Sequence, residues 1–207
     1  ALTFTGTLTN SATQTTGTKN FTLTGTNTGD NTFQGVIGNS AGGGLTALSK
    51  TGTGKWILTG NNTYSGDTSV TFGTLATGTT GSFGTGNIAV SNGATLFLDN
   101  ATSIADTAAL VFGNTSIINL DFSGTETIGG LANSISSTFL TTPGTYSVIQ
   151  LNQHFFGTDT GVFTGTGSLA VSAIPEPSTF AALAGIAALG LCLGSRRRAK
   201  RTAASNR

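Results

Sequence analysis

Apolar and polar residues alternate in short runs along most of the chain: Leu2/Phe4, Phe21/Leu23, Trp56/Leu58, Val70/Phe72, Ile88/Val90, Leu96/Leu98, Ile118/Leu120/Phe122, Tyr146/Val148 and Leu169/Val171. A period of two marks strands with one buried face. Between the runs stand Thr-Gly, Asn-Gly and Gly-Asp pairs, which favour tight turns, while Thr itself suits a pleated surface. No segment before residue 179 carries a helical stripe. Ile104–Phe112 comes nearest, with room for one short helical turn.

Internal repetition sharpens this picture. Phe21-Thr-Leu-Thr-Gly25 followed by Asn31-Thr-Phe-Gln-Gly35 returns as Trp56-Ile-Leu-Thr-Gly60 followed by Asn62-Thr-Tyr-Ser-Gly66, a spacing of 31–35 residues. Self-similarity at such a period is produced by stacked coils, in which each unit has too little apolar surface to fold alone and neighbours bury a shared ladder. The body is therefore expected to be all-β, a stacked-coil β-solenoid. The alternative is an antiparallel β-sandwich, since short strands separated by turns are also its signature.

The run Leu48-Ser-Lys-Thr-Gly-Thr-Gly-Lys-Trp-Ile-Leu-Thr-Gly-Asn-Asn-Thr-Tyr-Ser-Gly-Asp-Thr68, continued by Val70 and Gly73-Thr-Leu75, resembles the autotransporter-associated β-strand repeat of bacterial surface and passenger proteins. Gly81-Ser-Phe-Gly-Thr-Gly86 to Gly93-Ala-Thr-Leu96 is similar to its usual sequel. The resemblance implies a short right-handed parallel β-helix displayed outside the cell, with no catalytic residues to carry over. The large C-terminal outer-membrane barrel of a true autotransporter is not found in these 207 residues.

Composition narrows the chemistry. Only 8% of residues are charged, 31 are Gly, and the chain has one His, one Cys, one Trp and no Met. Multi-Cys or multi-His metal sites and disulfide frameworks are excluded, and a Cys-His pair would rest on Cys192 and His154 alone. The net charge of +1 conceals an asymmetry: residues 1–195 hold three lysines (Lys19, Lys50, Lys55) and all eight acids, and the other six cations lie in the last dozen residues. Three scattered lysines on an acidic body cannot neutralise a row of phosphates, so nucleic acid is not an expected partner. A first residue that is Ala, with no charged-then-apolar leader, suggests a mature form or a fragment whose export signal lies outside the sequence.

The C-terminal stretch breaks the strand pattern and divides the chain into a Thr/Gly-rich β-repeat domain (1–172), a linker (173–179), an apolar helix (180–194) and a basic tail (195–207). Ala173-Ile-Pro-Glu-Pro-Ser178 is held extended by its two prolines. Phe180–Leu193 follows without a charge, and Arg196, Arg197, Arg198, Lys200 and Arg201 close the segment. About 14 residues at ~1.5 Å each reach about 21 Å, short of the ~30 Å hydrocarbon core, so insertion is marginal and needs local thinning or snorkelling. The cations should stay on the cytoplasmic side and act as a stop, placing residues 1–178 beyond the membrane. A buried globular helix is the competing reading. The order Pro175-Glu176-Pro177, apolar helix, arginine cluster resembles the PEP-CTERM sorting signal. That family implies an exosortase-type membrane-embedded cysteine transpeptidase as partner, cutting near Pro175, Glu176 and Pro177, which serve as substrate. It also implies a Gram-negative bacterium that makes exopolysaccharide, with the protein passing through the inner membrane to the cell envelope or extracellular matrix.

Other candidate chemistry is thin. Ser49–Trp56 superficially resembles a phosphate loop, but Ser49 stands where the first Gly belongs and Trp56 where a Ser/Thr should hold magnesium; a turn into a strand is expected. Gly165-Thr-Gly-Ser-Leu-Ala170 lacks the helix of a dinucleotide fingerprint and reads as a turn. Paired carboxylates hydrolyse glycosides when about 5–10 Å apart, which singles out Asp99 with Asp106 and Asp121 with Glu126, although turn-forming Asp residues usually bond their own backbone. Asp30 and Asp67 occupy related turn positions in the two repeat copies, where turn capping outweighs a weak cation site. His154 is read as a surface residue and Cys192 as a small hydrophobe. Trp56 and Tyr64, with Phe33, offer a sugar-stacking platform, but their repeat-equivalent positions argue first for core filling. No enzyme activity, cofactor or metal is expected, and a contact with exopolysaccharide through Trp56 and Tyr64 is the alternative function. A polysaccharide-degrading β-helix enzyme is a more distant one.

Overall fold

The computed structural model describes residues 1–9, 13 and 15–172. The expected sorting element Pro175–Pro177, the apolar segment 180–194 with Cys192, and the cationic cluster from Arg196 to Arg201 lie outside the described residues.

Strands alternate along the chain between two seven-stranded sheets. The first sheet takes Thr3–Phe4, Asn31–Phe33, Lys55–Leu58, Thr74–Thr77, Thr95–Leu98, Ile117–Leu120 and Phe163–Gly165, each beside the next. The second takes Thr18–Leu23, Leu45–Lys50, Thr68–Val70, Ile88–Val90, Ala109–Phe112, Gly130–Asn133 and, at its end, Thr138–Phe139. Among the described strands, only Thr138–Phe139 on Gly130–Asn133 and Gly144–Ser147 on Ser168–Val171 pair antiparallel. All other pairs are parallel, which removes the sandwich alternative and gives the stacked coil.

Register fixes the size of a coil. Lys55 pairs with Thr74, Thr74 with Thr95 and Thr95 with Ile117, while Leu48 pairs with Thr68 and Thr68 with Ile88, so a coil in this region takes 19–22 residues. The repeat expected at 31–35 residues is therefore corrected. Asn31 lies against Trp56, and Phe21 lies against Leu48 in the other sheet. The two Phe/Trp-x-Leu-Thr-Gly segments are alike because each ends a strand and enters a turn, not because one stacks on the other.

Alternation puts one residue in two inside. On the first sheet Trp56, Leu75, Leu96, Ile118 and Phe163 form one inward ladder; on the second, Leu48, Thr68, Ile88, Leu110 and Leu131 form another, and all ten are buried. Each large aliphatic side chain so placed contributes about 1.5–3 kcal/mol. Ile104 precedes a turn at Asp106–Thr107 and a strand from Ala109, so no helical turn forms there.

The stack closes at its C-terminal end. Ile118 and Phe163, neighbours in the first sheet, are 45 residues apart in sequence, and the intervening chain forms a cap. It contains the helix Val148–Phe156 and supplies Thr125–Ile128 and Gly144–Ser147 to a third sheet, in which both pair with the later strand Ser168–Val171. This helix contradicts the expectation of no helix before residue 179. Ser147 and Gln150 make a reciprocal capping box, and Gly157 at φ 69° ends the helix with its N–H on Gln153 O. Leu151 is buried, Asn152 bonds Phe163 through both its Oδ1 and its Nδ2, and the Phe155 ring meets Phe112 edge-on at 4.9 Å. The helix thus plugs the end of the apolar interior.

Candidate functional site

The region 48–76 carries the most informative sequence motif, and Lys50, Trp56, Asn62, Tyr64 and Thr68 within it are buried, while Phe72 is exposed. Trp56 is 6% exposed, donates from Nε1 to Thr24 O at 3.0 Å and stacks on Phe4. Tyr64 has no exposed surface, and its hydroxyl lies 2.7 Å from Thr68 Oγ1. Burial pushes its pKa up to about 12, against the smaller opposing effect of its hydrogen bonds. Phe33 is also buried. All three aromatics sit in the interior, and the Tyr64 ring, fully enclosed, presents no face to solvent.

Asn62 sutures coils. Its Oδ1 accepts from Ile37 N at 2.8 Å, and its Nδ2 donates to Ser82 O at 2.7 Å, in the preceding and following coils. Asn31 does similar work, accepting from Leu2 N and donating to Lys55 O. A buried amide satisfied on both sides holds register as well as adding stability.

Lys50 is the least anticipated residue. It ends the strand Leu45–Lys50 on an inward row between Leu23 and Val70, and its side chain is wholly buried. The Nζ donates to Thr51 O, Gly52 O and Phe72 O at 3.1, 2.8 and 2.9 Å. Desolvation lowers its pKa to about 8. Three carbonyls, and no carboxylate hydrogen bond, satisfy this amine. The supposed phosphate loop is the expected turn into the strand Lys55–Leu58, with Lys50 facing in and Lys55, the lysine of the Gly-Lys pair, on the surface.

The acids are dispersed or structural. Asp30 pairs with Lys55 at 2.7 Å on the surface, a contact worth about 0–1 kcal/mol, while Asp67 Oδ1 accepts from Asn87 N. The two do different work and do not form a shared turn site. Glu126 is 1% exposed, with Oε2 accepting from Ser103 N at 2.9 Å and Oε1 from Ile104 N at 3.0 Å. Its pKa rises to about 7, chiefly through desolvation; the two N–H groups oppose the rise and the Asp106 charge adds to it. Asp121 is exposed, whereas Glu126 points inward, so that pair does not share one cleft. Asp99 and Asp121 follow Leu98 and Leu120, which are in register, and are therefore ladder neighbours that sequence spacing did not pair. His154 lies exposed on the cap helix, its Nε2 3.3 Å from Phe139 O. Among the described residues no group of three or more His, Cys, Asp or Glu side chains gathers to hold a metal, and no helix is long and apolar enough to cross a membrane.

Fold and interior define a parallel β-solenoid whose specific side chains serve the stack. Comparison with known proteins adds two matches on this chain. Residues 48–76 match the passenger-associated-transport-repeat, and residues 173–198 match the PEP-CTERM protein-sorting motif; the chain carries both. A stretch of 77 residues is 48% identical to the adhesin BmaC autotransporter of Brucella suis biovar 1 (strain 1330). That stretch is 36% of this chain and 2% of the adhesin, so the chain spans a very small part of that relative. No solved structure matches. The repeat match covers Lys50, Trp56 and Asn62, which bond across coils, and Tyr64 and Thr68, which bond each other within one. Together the motif and the repeat mark an exported, surface-directed chain.

Proposed function

We propose that the protein is a non-catalytic structural or adhesive β-solenoid of the cell envelope or extracellular matrix. Its C-terminal signal delivers it to the inner membrane, where an exosortase-type enzyme cuts near Pro175-Glu176-Pro177. The apolar segment 180–194 lodges in the bilayer, and Arg196, Arg197, Arg198, Lys200 and Arg201 stop it from passing through. The coil is right-handed, the sense that parallel crossover connections strongly prefer.

One observation carries this reading: a passenger-type coil and a sorting motif occur on the same chain, separated by the cap. The non-catalytic assignment is supported by the use of the unusual ionisable groups. Lys50 and Glu126 are both consumed by backbone partners inside the stack, which leaves neither free to act on a substrate.

Expression in a host that carries the sorting enzyme, followed by intact-mass measurement of the mature protein, tests the proposal. Loss of residues C-terminal to the Pro-Glu-Pro element is expected. Recovery of surface protein that retains residues 180–207 contradicts it.

A further inference from the structure

The last strand ends within a few residues of the sorting motif. Val171 is held on one side by Ile128 and on the other by Gly144, and Ser172 donates from both N and Oγ to Ile128 O at 3.0 and 3.1 Å. From that anchor, four residues lead to Glu176 and eight to Phe180. Even fully extended, four residues span at most about 14 Å and eight about 29 Å. A compact body of only 100 residues has a radius of gyration near 13 Å, so an enzyme that closes on Pro175–Pro177 cannot avoid the folded cap.

The surface it meets is a shoulder. Residues 141–145 are exposed beside the strand end, and the Tyr146 hydroxyl donates to Thr142 O at 2.7 Å, pinning that turn. Residues 121–172 contain no Lys or Arg, and the shoulder Thr141-Thr-Pro-Gly-Thr145 has neither charge nor a large apolar side chain. Such a surface lacks the aromatic and arginine anchors that give an interface its affinity. Contact without attraction is obstruction.

We propose that the folded cap, through the strand end at Ser172 and the 141–145 turn, forms a steric contact surface against the membrane-embedded processing enzyme and slows its access to the sorting motif. This inference rests on the sorting reading above. The cap makes the folded protein a slow substrate, and the length of the tether sets its rate.

The experiment is pulse-chase processing of the full chain in a host bearing the enzyme, comparing wild type with a variant carrying ten Gly/Ser residues between Ser172 and Ala173. A control places the same ten residues in the exposed 158–160 loop, leaving the tether unchanged. Processing at least threefold faster for the tether insertion, with the control at the wild-type rate, is the expected result. Equal or slower processing of the tether variant, with wild type still cut, overturns this inference alone. If wild type is never cut, the sorting reading falls and the inference falls with it.

Discussion

The Tyr64 hydroxyl and Thr68 Oγ1 face each other at 2.7 Å with both residues sealed from solvent. The pair joins the corner after Asn62 to the strand Thr68–Val70, closing a single coil on itself. Replacing Tyr64 by Phe keeps the ring and strands the Thr68 hydroxyl, at a cost of about 1–2 kcal/mol. Tyr64→Ala also empties the corner and should cost about 3–5 kcal/mol. Urea unfolding of residues 1–172 measures both. A Tyr64→Phe variant as stable as the parent would show that the hydroxyl contributes only solvation.

Glu126 sets the acid side of the stability profile. Its pKa rises from 4.5 to about 7 in the fold, so between those values the native state holds a proton that the unfolded chain has released. Stability should be fullest below pH 4.5, fall as pH rises to 7, and then level off, with a total change on the order of 2–3 kcal/mol. Glu126→Gln should flatten this slope while losing stability at low pH, because its amide places donors against a backbone N–H. Unfolding midpoints collected from pH 4 to 8 would expose a wrong assignment as an unchanged slope in the variant.

Lys50 acts in the opposite direction at the alkaline end. Its amine titrates near 8 in the fold and near 10.5 when unfolded, so the unfolded chain binds the extra proton between these values. Stability should therefore increase from pH 8 towards 10, by about 2 kcal/mol, before Tyr64 ionisation in the unfolded state reverses the trend. In Lys50→Met the increase should vanish, and three carbonyls lose their donor. Denaturant titrations at pH 7, 8, 9 and 10 would contradict this if the variant kept the parental rise.

Strand existence was readable wherever one face is buried and the other wet. Trp56/Leu58, Leu96/Leu98 and Ile118/Leu120 all point inward as their alternation predicts. Register was not readable, because similar turn-entering segments recur on both sheets, and only the backbone pairing tells Asn31 from Phe21 as the partner of Trp56. The cap helix was hidden because the apparent alternation Tyr146/Val148 runs across its start; the Ser147-x-x-Gln150 capping box and Gly157 were the available signals. Burial of Lys50 left no trace in the sequence. A lysine ending an amphipathic strand normally turns to water, and the carbonyls that hold it come from turns whose shape is set by glycines at Gly52 and Gly73.

Those two glycines give the sharpest test of the stacked corner. Gly52, Gly73 and Gly93 have φ of 73°, 65° and 75°, the left-handed region that side chains avoid. A Cβ on Gly73 would lie 2.5 Å from Gly54 O, 2.6 Å from Gly52 O and 2.8 Å from Lys50 Nζ, whereas one on Gly93 meets nothing within 4 Å. Gly93→Ala should therefore cost only the backbone conformation, about 1–2 kcal/mol. Gly73→Ala carries that same cost and must also push away the Gly52 carbonyl, which holds the buried amine, and the Gly54 carbonyl, which accepts from Thr74 N, and this should raise the loss to about 3–4 kcal/mol. Because the two sites share a backbone conformation, the difference between their unfolding free energies isolates the coil-to-coil contact. Equal losses would mean that neighbouring coils are not packed as closely at this corner as the lysine cradle requires.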